Sequence, residues 1–235
     1  MKSKQTILLK LTGEILSMTP HHSIDGSMVR TIAQQIRQLS QTHYFGIVIG
    51  GGNFFRGNKQ GTALGLSPSV GHQIGMLATM MNGLIVKDIF EQQGVCSTLF
   101  SAIPSSEIGI PISNQAIKSA LDRGDCTIFS GGTGNPFFTT DTTAMLRGLQ
   151  IEADYVWKGT NVDGIYTADP RIFPEAHMMK RVSYQDALNN NLKILDATAF
   201  VLAKEHNLKI RVFNIFKDNA LINASQNEEF GSIVE

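Results

Sequence analysis

The sequence predicts an α/β fold in which a mainly parallel central sheet carries helices on both faces. Two observations predict it. Short apolar runs rich in β-formers alternate almost from end to end with stretches of helical periodicity, the pattern of a parallel sheet whose crossovers are helices. Loops rich in glycine and polar residues fall where the strands should end, and in this architecture binding sites lie outside the carboxyl ends of the strands. No internal repeat, low-complexity segment or linker divides the chain, so residues 1–235 are expected to form one domain.

Thr6 to Leu11 reads as a first buried strand, and Ser27 to Leu39 as a helix with Met28, Ile32, Ile36 and Leu39 on one face. Phe45 to Ile49 is the next strand. A helix from about His72 to Phe90 offers Leu77, Met81, Leu84, Val86 and Ile89 for burial. Its Met76, Met80 and Met81 read as core or subunit contact, and Gly71, Gly75, Ala78 and Gly83 permit close packing. Val95 to Ile103, Cys126 to Ser130 and Tyr155 to Lys158 are further strands. A helix continues through Ala144, Met145 and Leu146, and Ile210 to Phe216 is a late strand.

Formal charge is balanced, 20 basic against 20 acidic residues, so the chain carries no electrostatic footprint for nucleic acid at this level. Cys96 and Cys126 sit in apolar runs and read as small buried hydrophobes in a reducing compartment. Met1-Lys2-Ser3-Lys4-Gln5 leads directly into a strand, with no apolar signal region and no apolar span of membrane length. A cytoplasmic location without membrane contact is the expectation.

Four loops fall at expected strand ends. They are Lys10-Leu11-Thr12-Gly13-Glu14, the Gly50-Gly51-Gly52-Asn53-Phe54-Phe55-Arg56-Gly57 run, residues 133–141, and residues 158–170. Several such loops on one sheet edge suit a large polyanionic ligand, because free backbone N–H groups and hydroxyls bind anions. The most informative is Thr133-Gly134-Asn135-Pro136-Phe137-Phe138-Thr139-Thr140-Asp141. Two consecutive phenylalanines in a loop call for something to cover, and a flat ring such as a nucleobase is one candidate. The triple glycine is no Gly-Lys-Ser/Thr phosphate loop, and Phe55 stands where a dinucleotide fingerprint needs its third glycine. It reads either as a tight turn needing positive φ or as backbone that approaches a phosphate beside Arg56.

Lys10 and Lys158 each end a strand. A lysine there can simply snorkel to solvent, but two of them can also neutralise charge on a phosphoryl group in flight. Asp141 and Asp196 precede helical runs and read as N-caps, worth about 1 kcal/mol each, with freedom to orient a lysine as well. Ser183-Tyr184-Gln185-Asp186 reads as a capping-box variant, Asp163-Gly164 as a hairpin turn, and Asp169 before Pro170 as a turn starter. His21 and His22 have no partners at metal-ligand spacing, so no protein metal site is expected.

Together these pieces resemble the bacterial uridylate kinase (UMP kinase) branch of the amino acid kinase family. The matching residues are Lys10 to Glu14, Gly50 to Gly57, Gly75-Met76-Leu77-Ala78-Thr79, Thr133 to Asp141, Val162-Asp163-Gly164 with Thr167-Ala168-Asp169-Pro170, and Arg211-Val212-Phe213-Asn214. They span nearly the whole chain. The resemblance implies a three-layer α/β/α sandwich, the amino acid kinase fold, with an N-terminal acceptor half that carries oligomer contacts and a C-terminal ATP half. It implies a homohexamer that makes UDP from UMP with ATP and Mg²⁺, in pyrimidine nucleotide biosynthesis. By matching position, Lys10, Leu11, Thr12, Gly13, Gly52, Arg56, Thr160, Asn161, Tyr166 and Asp169 would contact ATP. Gly51, His72, Thr133, Gly134, Asn135, Pro136, Phe137, Phe138, Thr139 and Thr140 would hold UMP. Lys10, Lys158, Asp141 and Asp196 would form the charged centre.

A UMP phosphate oxygen is already ionised at neutral pH, so such a reaction needs no general base. It rests on in-line positioning and on cancelling charge at the moving phosphoryl group. Lys10 and Lys158 would supply that charge, with Asp141 and Asp196 holding them. Two departures stand out. His72 follows Gly71 where relatives usually carry Asp, so acceptor affinity is expected to differ. Met18-Thr19-Pro20-His21-His22-Ser23 lacks the glycines that some relatives link to activation by GTP, which speaks against GTP activation and leaves UTP inhibition open. One rival is another amino acid kinase, acting on acetylglutamate, aspartate or carbamate, and Phe137 and Phe138 argue against it. The other is a nucleotide-sensing binding module, against which the retained lysines and aspartates argue.

Overall fold

The computed structural model describes residues 4–16, 24–56, 60–170, 172–190, 192 and 194–235. Gly57 and the 18–23 loop, with His21 and His22, lie outside the described residues. Alternation along β1 (Gln5–Leu11) sets the layering: Ile7, Leu9 and Leu11 enter one apolar cluster and Leu8 another, as a period of two requires. The first cluster gathers α1 (Ser27–Leu39), the far end of α2 (Pro68–Gln92) and α7 (Ala220–Gln226). On the other face lie α3 (Asn114–Asp122), α4 (Thr140–Gln150), α5 (Tyr184–Asn189) and α6 (Ala197–Glu205). The outcome is the expected α/β/α sandwich. Each fully enclosed side chain such as Ile7, Leu8 or Leu9 contributes roughly 1.5–3 kcal/mol.

Among the described residues the main sheet has nine strands. Their order is β4 (Ile110–Pro111), β3 (Ser97–Ser101), β5 (Cys126–Ser130), β2 (His43–Ile49), β1, β6 (Tyr155–Thr160), β10 (Lys209–Asn214), β11 (Ser232–Val234) and β9 (Arg181–Val182). All neighbours run parallel except β10 and β11. A small ribbon pairs β7 (Ile165–Tyr166) antiparallel with β8 (Met178–Met179). Because β5, β2, β1, β6 and β10 are consecutive and parallel, their carboxyl ends share one edge. No helix among the described residues is long and apolar enough to cross a membrane.

Several local expectations change. Helix α2 starts at Pro68, with Ser67 as its cap; proline at the first helical position is a start signal. Val86 and Ile89 are buried as expected, but Leu77, Met81 and Leu84 are 52%, 48% and 41% exposed. The helix is apolar nearly all round, so its period does not select a face, and the small and polar residues Ala78, Thr79, Asn82 and Gly83 turn inward instead. Cys126 is buried, which pushes its thiol pKa up, whereas Cys96 precedes β3 and is exposed. Asp163-Gly164 does not close a hairpin, since β7 pairs with β8 and not with β6; the Asp163 carboxylate accepts from Asn214 and Lys217. Ser183 does cap α5, accepting from the Asp186 N–H, and the Asp169 carbonyl opens a turn by accepting from Ile172 and Phe173. Arg211 is buried, and its Nη1 donates to the carbonyls of Ala224, Asn227 and Phe230, where it closes the C-terminal end of α7.

Candidate active site

Lys10 and Lys158 are direct register partners on the adjacent parallel strands β1 and β6. Each lies two residues beyond a side chain of the α4-facing cluster, Leu8 and Val156, so both ammonium groups reach the same side of the sheet. Asp141, in the first turn of α4, meets them there. Its Oδ1 stands 3.0 Å from Lys10 Nζ and its Oδ2 2.7 Å from Lys158 Nζ. Lys158 also donates to the Ile194 carbonyl at 2.6 Å. All three side chains are about 15% exposed, the Asp141 side chain 16%. Burial alone would raise the Asp141 pKa, but the two ammonium charges outweigh it and hold the carboxyl below its ordinary value. Burial, helped by the nearby Lys10 charge, draws the Lys158 pKa below that of a free lysine despite Asp141.

Three spaces run side by side along the sheet edge. A cavity of about 440 Å³ lies between the ends of β2 and β5 and the first turns of α2, and includes Gly51, His72, Met76, Thr79, Thr133 and Phe138. A cleft of about 240 Å³ follows, lined by Lys10, Thr12, Gly13, Glu14, Gly50 and Thr140 among others. Gly51, Gly52, Arg56 and Thr140 border both. Beyond the lysines a third space of about 620 Å³ has Lys158, Thr160, Tyr166, Asp169, Phe173 and Val212 in its walls. Among the described residues the lining of the 440 Å³ cavity holds no carboxylate but does have Arg56 and His72, which suits an anionic occupant. Arg56 is held by Glu14 at 2.7 Å and by the Gly52 carbonyl at 3.2 Å. Among the described residues no group of three or more His, Cys, Asp or Glu gathers at metal-binding distance, and both oxygens of Asp141 face lysines.

Comparison with known proteins shows the family. The amino acid kinase family model matches residues 5–214. The uridylate kinase of Pectobacterium atrosepticum is 46% identical over 98% of this chain and 95% of its own length. This chain belongs to the uridylate kinase branch of the amino acid kinase family. The crystal structure of UMP kinase from Ureaplasma parvum aligns with a TM-score of 0.95 at 35% identity, covering 99% of both chains. That of UMP kinase from Bacillus anthracis reaches 0.94 at 28% identity, over 100% of this chain and 97% of the other. Membership makes the chain a kinase.

The residues matched to this kinase branch fall unevenly on the three spaces. Of those matched to ATP, Thr160, Tyr166 and Asp169 line the largest space, and Lys10, Thr12, Gly13, Gly52 and Arg56 line the cleft. Leu11 does not face either: its side chain is in the core and its carbonyl accepts the Gly50 N–H. Asn161 is exposed and lines none of them. Of those matched to UMP, Gly51, His72, Thr133, Phe138, Thr139 and Thr140 line the 440 Å³ cavity. Gly134, Asn135, Pro136 and Phe137 do not. Gly134 makes the turn at φ 82° that lays the loop on the Ala102 carbonyl, and Asn135 faces an outer groove between α4 and α6. Phe137 stands at φ 72°, where a side chain is strained. Its ring lies 5.1 Å from that of His72.

Asp141 is not the cap of α4; Thr139 is, and it accepts from the N–H groups of Asp141 and Thr142. With the cap supplied by Thr139, the carboxylate is free for the lysines. Asp196 caps α6 through the Ala199 N–H as expected, yet it makes no ion pair with either lysine among the described residues. It accepts instead from the hydroxyls of Thr139 and, at 3.0 Å, Thr142. Sequence reasoning missed Arg147, buried beside Phe129, whose Nη2 donates to the Gly132 carbonyl at 3.2 Å and whose pKa burial lowers to about 10. A charged residue at a core-facing helical position was its signal. It gave no role to Thr79, which lies in the matched Gly75 to Thr79 segment, or to Asn82.

Proposed function

We propose that the chain catalyses ATP-dependent phosphorylation of UMP to UDP, a step of pyrimidine nucleotide biosynthesis. The carrying observation is the Lys10–Asp141–Lys158 group, set between an anion-friendly cavity and a larger space on the other side. In this reading UMP occupies the 440 Å³ cavity, with Phe138 along its apolar side and Gly51, Gly52 and Arg56 near its phosphate. ATP occupies the 620 Å³ space and extends its phosphates into the 240 Å³ cleft. The names and structures of the relatives support this assignment of substrates.

The chemistry follows from charge. The UMP phosphate is its own nucleophile, so the protein supplies position and electrostatics. Lys10 is the mobile member of the pair in this reading, because Lys158 is also fixed by the Ile194 carbonyl. Asp141 keeps the two ammonium groups together, with Lys10 on the cleft and Lys158 on the larger space. Mg²⁺ arrives as part of the MgATP substrate, which fits a site whose central carboxylate is committed to lysines; magnesium binds chiefly through phosphates and water in such sites. Asp196 adds negative charge near Lys158 from a distance and is held by the hydroxyls of Thr139 and Thr142.

The wider reading is one amino acid kinase domain, with an acceptor half and an ATP half, in a cytoplasmic homohexamer. Unpaired thiols at Cys96 and Cys126 accord with that compartment, and the exposed apolar line on α2 accords with subunit contact. The lack of activation by GTP belongs to the same reading, which leaves inhibition by UTP open. A coupled assay of ADP release with UMP, CMP and acetylglutamate, each with and without GTP, tests it. UMP-dependent ADP formation that GTP leaves unchanged is expected, and release with acetylglutamate alone would overturn the assignment.

A further inference from the structure

Helix α2 carries two buried polar side chains one turn apart, Thr79 and Asn82, on the face turned to the sheet. Asn82 is fully enclosed, and its Nδ2 donates to the Gly50 carbonyl and to Asn53 Oδ1, both at 2.7 Å. Its own Oδ1 accepts from Asn53 Nδ2 at 3.0 Å. The amide therefore ties down the loop that ends β2. Thr79 Oγ1 donates to the Met76 carbonyl at 2.7 Å and accepts the Gly131 N–H at 2.9 Å, on the loop that ends β5. A β-carbon added to Gly51 would lie 2.7 Å from Ala78 Cβ and 2.9 Å from the Gly75 carbonyl, so the first loop rests directly on the helix.

We propose that Thr79 and Asn82 are positioning residues for the phosphate acceptor, acting as a bracket that sets the width of its cavity. The proposal rests on the acceptor reading given above. Buried polar groups are normally paired, and pairing alone would call for no function. The distinguishing feature is where the bonds go. They reach from adjacent turns of one helix to two loops that end different strands and both contribute to the lining of the 440 Å³ cavity. The same helix places His72 and Met76 in that cavity. The wall carrying Gly51 and Gly52 is shared with the transfer cleft, so a shift of it misaligns the acceptor against the lysines. Misplacement of a bound reactant by about 1 Å costs on the order of a hundredfold in rate.

The test uses the full chain as wild type, Thr79→Val, Thr79→Ser and Asn82→Ala, below the melting temperature of each. Thr79→Val keeps the shape and loses the hydroxyl. It should raise KM for UMP on the order of tenfold, leave KM for ATP within about twofold of wild type, and speed amide exchange at Gly131. Thr79→Ser should restore both KM for UMP and slow exchange at Gly131. Asn82→Ala should lower kcat as well, and if it does not fold the valine variant still decides. A folded Thr79→Val enzyme with wild-type KM for UMP, or with KM for both substrates raised alike, would overturn the bracket. If wild type itself forms no UMP-dependent ADP, the functional reading fails separately, and exchange at Gly131 still reports whether Thr79 holds that loop.

Discussion

Asp141 shares one carboxylate between two ammonium groups, and this sets distinct expectations for each member of the trio. Lys10→Ala removes a positive charge from the cleft but leaves Asp141 paired with Lys158. Turnover should fall roughly 10²–10³-fold, as on loss of one transition-state donor. Thermal unfolding should change by about 1 kcal/mol, because Asp141 keeps Lys158 as its counter-charge and the repulsion between the two ammonium groups is relieved. A folded variant with near-normal kcat would refute the role of Lys10. Asp141→Asn leaves the two lysines facing each other without the carboxylate that pairs them, and its consequence is visible in acid. The folded Asp141 pKa lies below its ordinary value of 3.8, so the unfolded chain binds the proton first as pH falls. Its stabilisation is therefore complete above the ordinary value and is lost as pH drops through the lower folded one. Chemical denaturation between about pH 5 and pH 2 should show a shallower acid limb for Asp141→Asn than for wild type; parallel limbs would show that the carboxylate is not depressed.

At the scale of elements, the joint between α4 and α6 depends on Asp196. It caps α6 through Ala199 and accepts from Thr139, itself the cap of α4, and from Thr142. If that bridging is its function, the negative charge is dispensable and the acceptor oxygen is not. Asp196→Asn should keep activity within a few-fold, while Asp196→Ala should lose about 1–2 kcal/mol of stability and raise KM for UMP. Equal loss of kcat in both, without loss of stability, would instead return Asp196 to the charged centre. This joint also marks where the sequence stops being legible. Strands β1, β2, β5 and β6 and helix α1 declare themselves by period, and loops at their ends follow from that. Three capping-type residues in a row, Thr139-Thr140-Asp141, leave the cap undecided, because only the angle at which the chain enters α4 selects Thr139. The register that sets Lys10 beside Lys158 depends on strand pairing across most of the chain, which no local pattern carries. Thr79 and Asn82 were visible as polar residues in an apolar helix, but their partners lie on loops far away in sequence.

For the whole molecule, α2 carries opposed faces with separate consequences. Its inner face holds the acceptor loops. Its outer face presents Val70, Leu77, Met81 and Leu84, spaced by seven, four and three residues and so aligned in a single row, each 40% exposed or more. A row of this length on a 25-residue helix is an unusual expenditure of apolar surface on a chain with balanced charge. Completing the burial of each side chain would contribute on the order of 1 kcal/mol. A contact between two copies of α2 across a twofold axis would double every gain, since the same patch meets itself. The proposed hexamer then makes a definite prediction. The double substitution Leu77→Glu with Met81→Glu brings like charges face to face in such a contact, while the inner face and the cavity lining are untouched. Sedimentation should report six copies for wild type and a smaller assembly for the variant, with far-ultraviolet circular dichroism unchanged. A variant that keeps the wild-type mass would remove α2 from the interface, and a monomeric wild type would remove the hexamer.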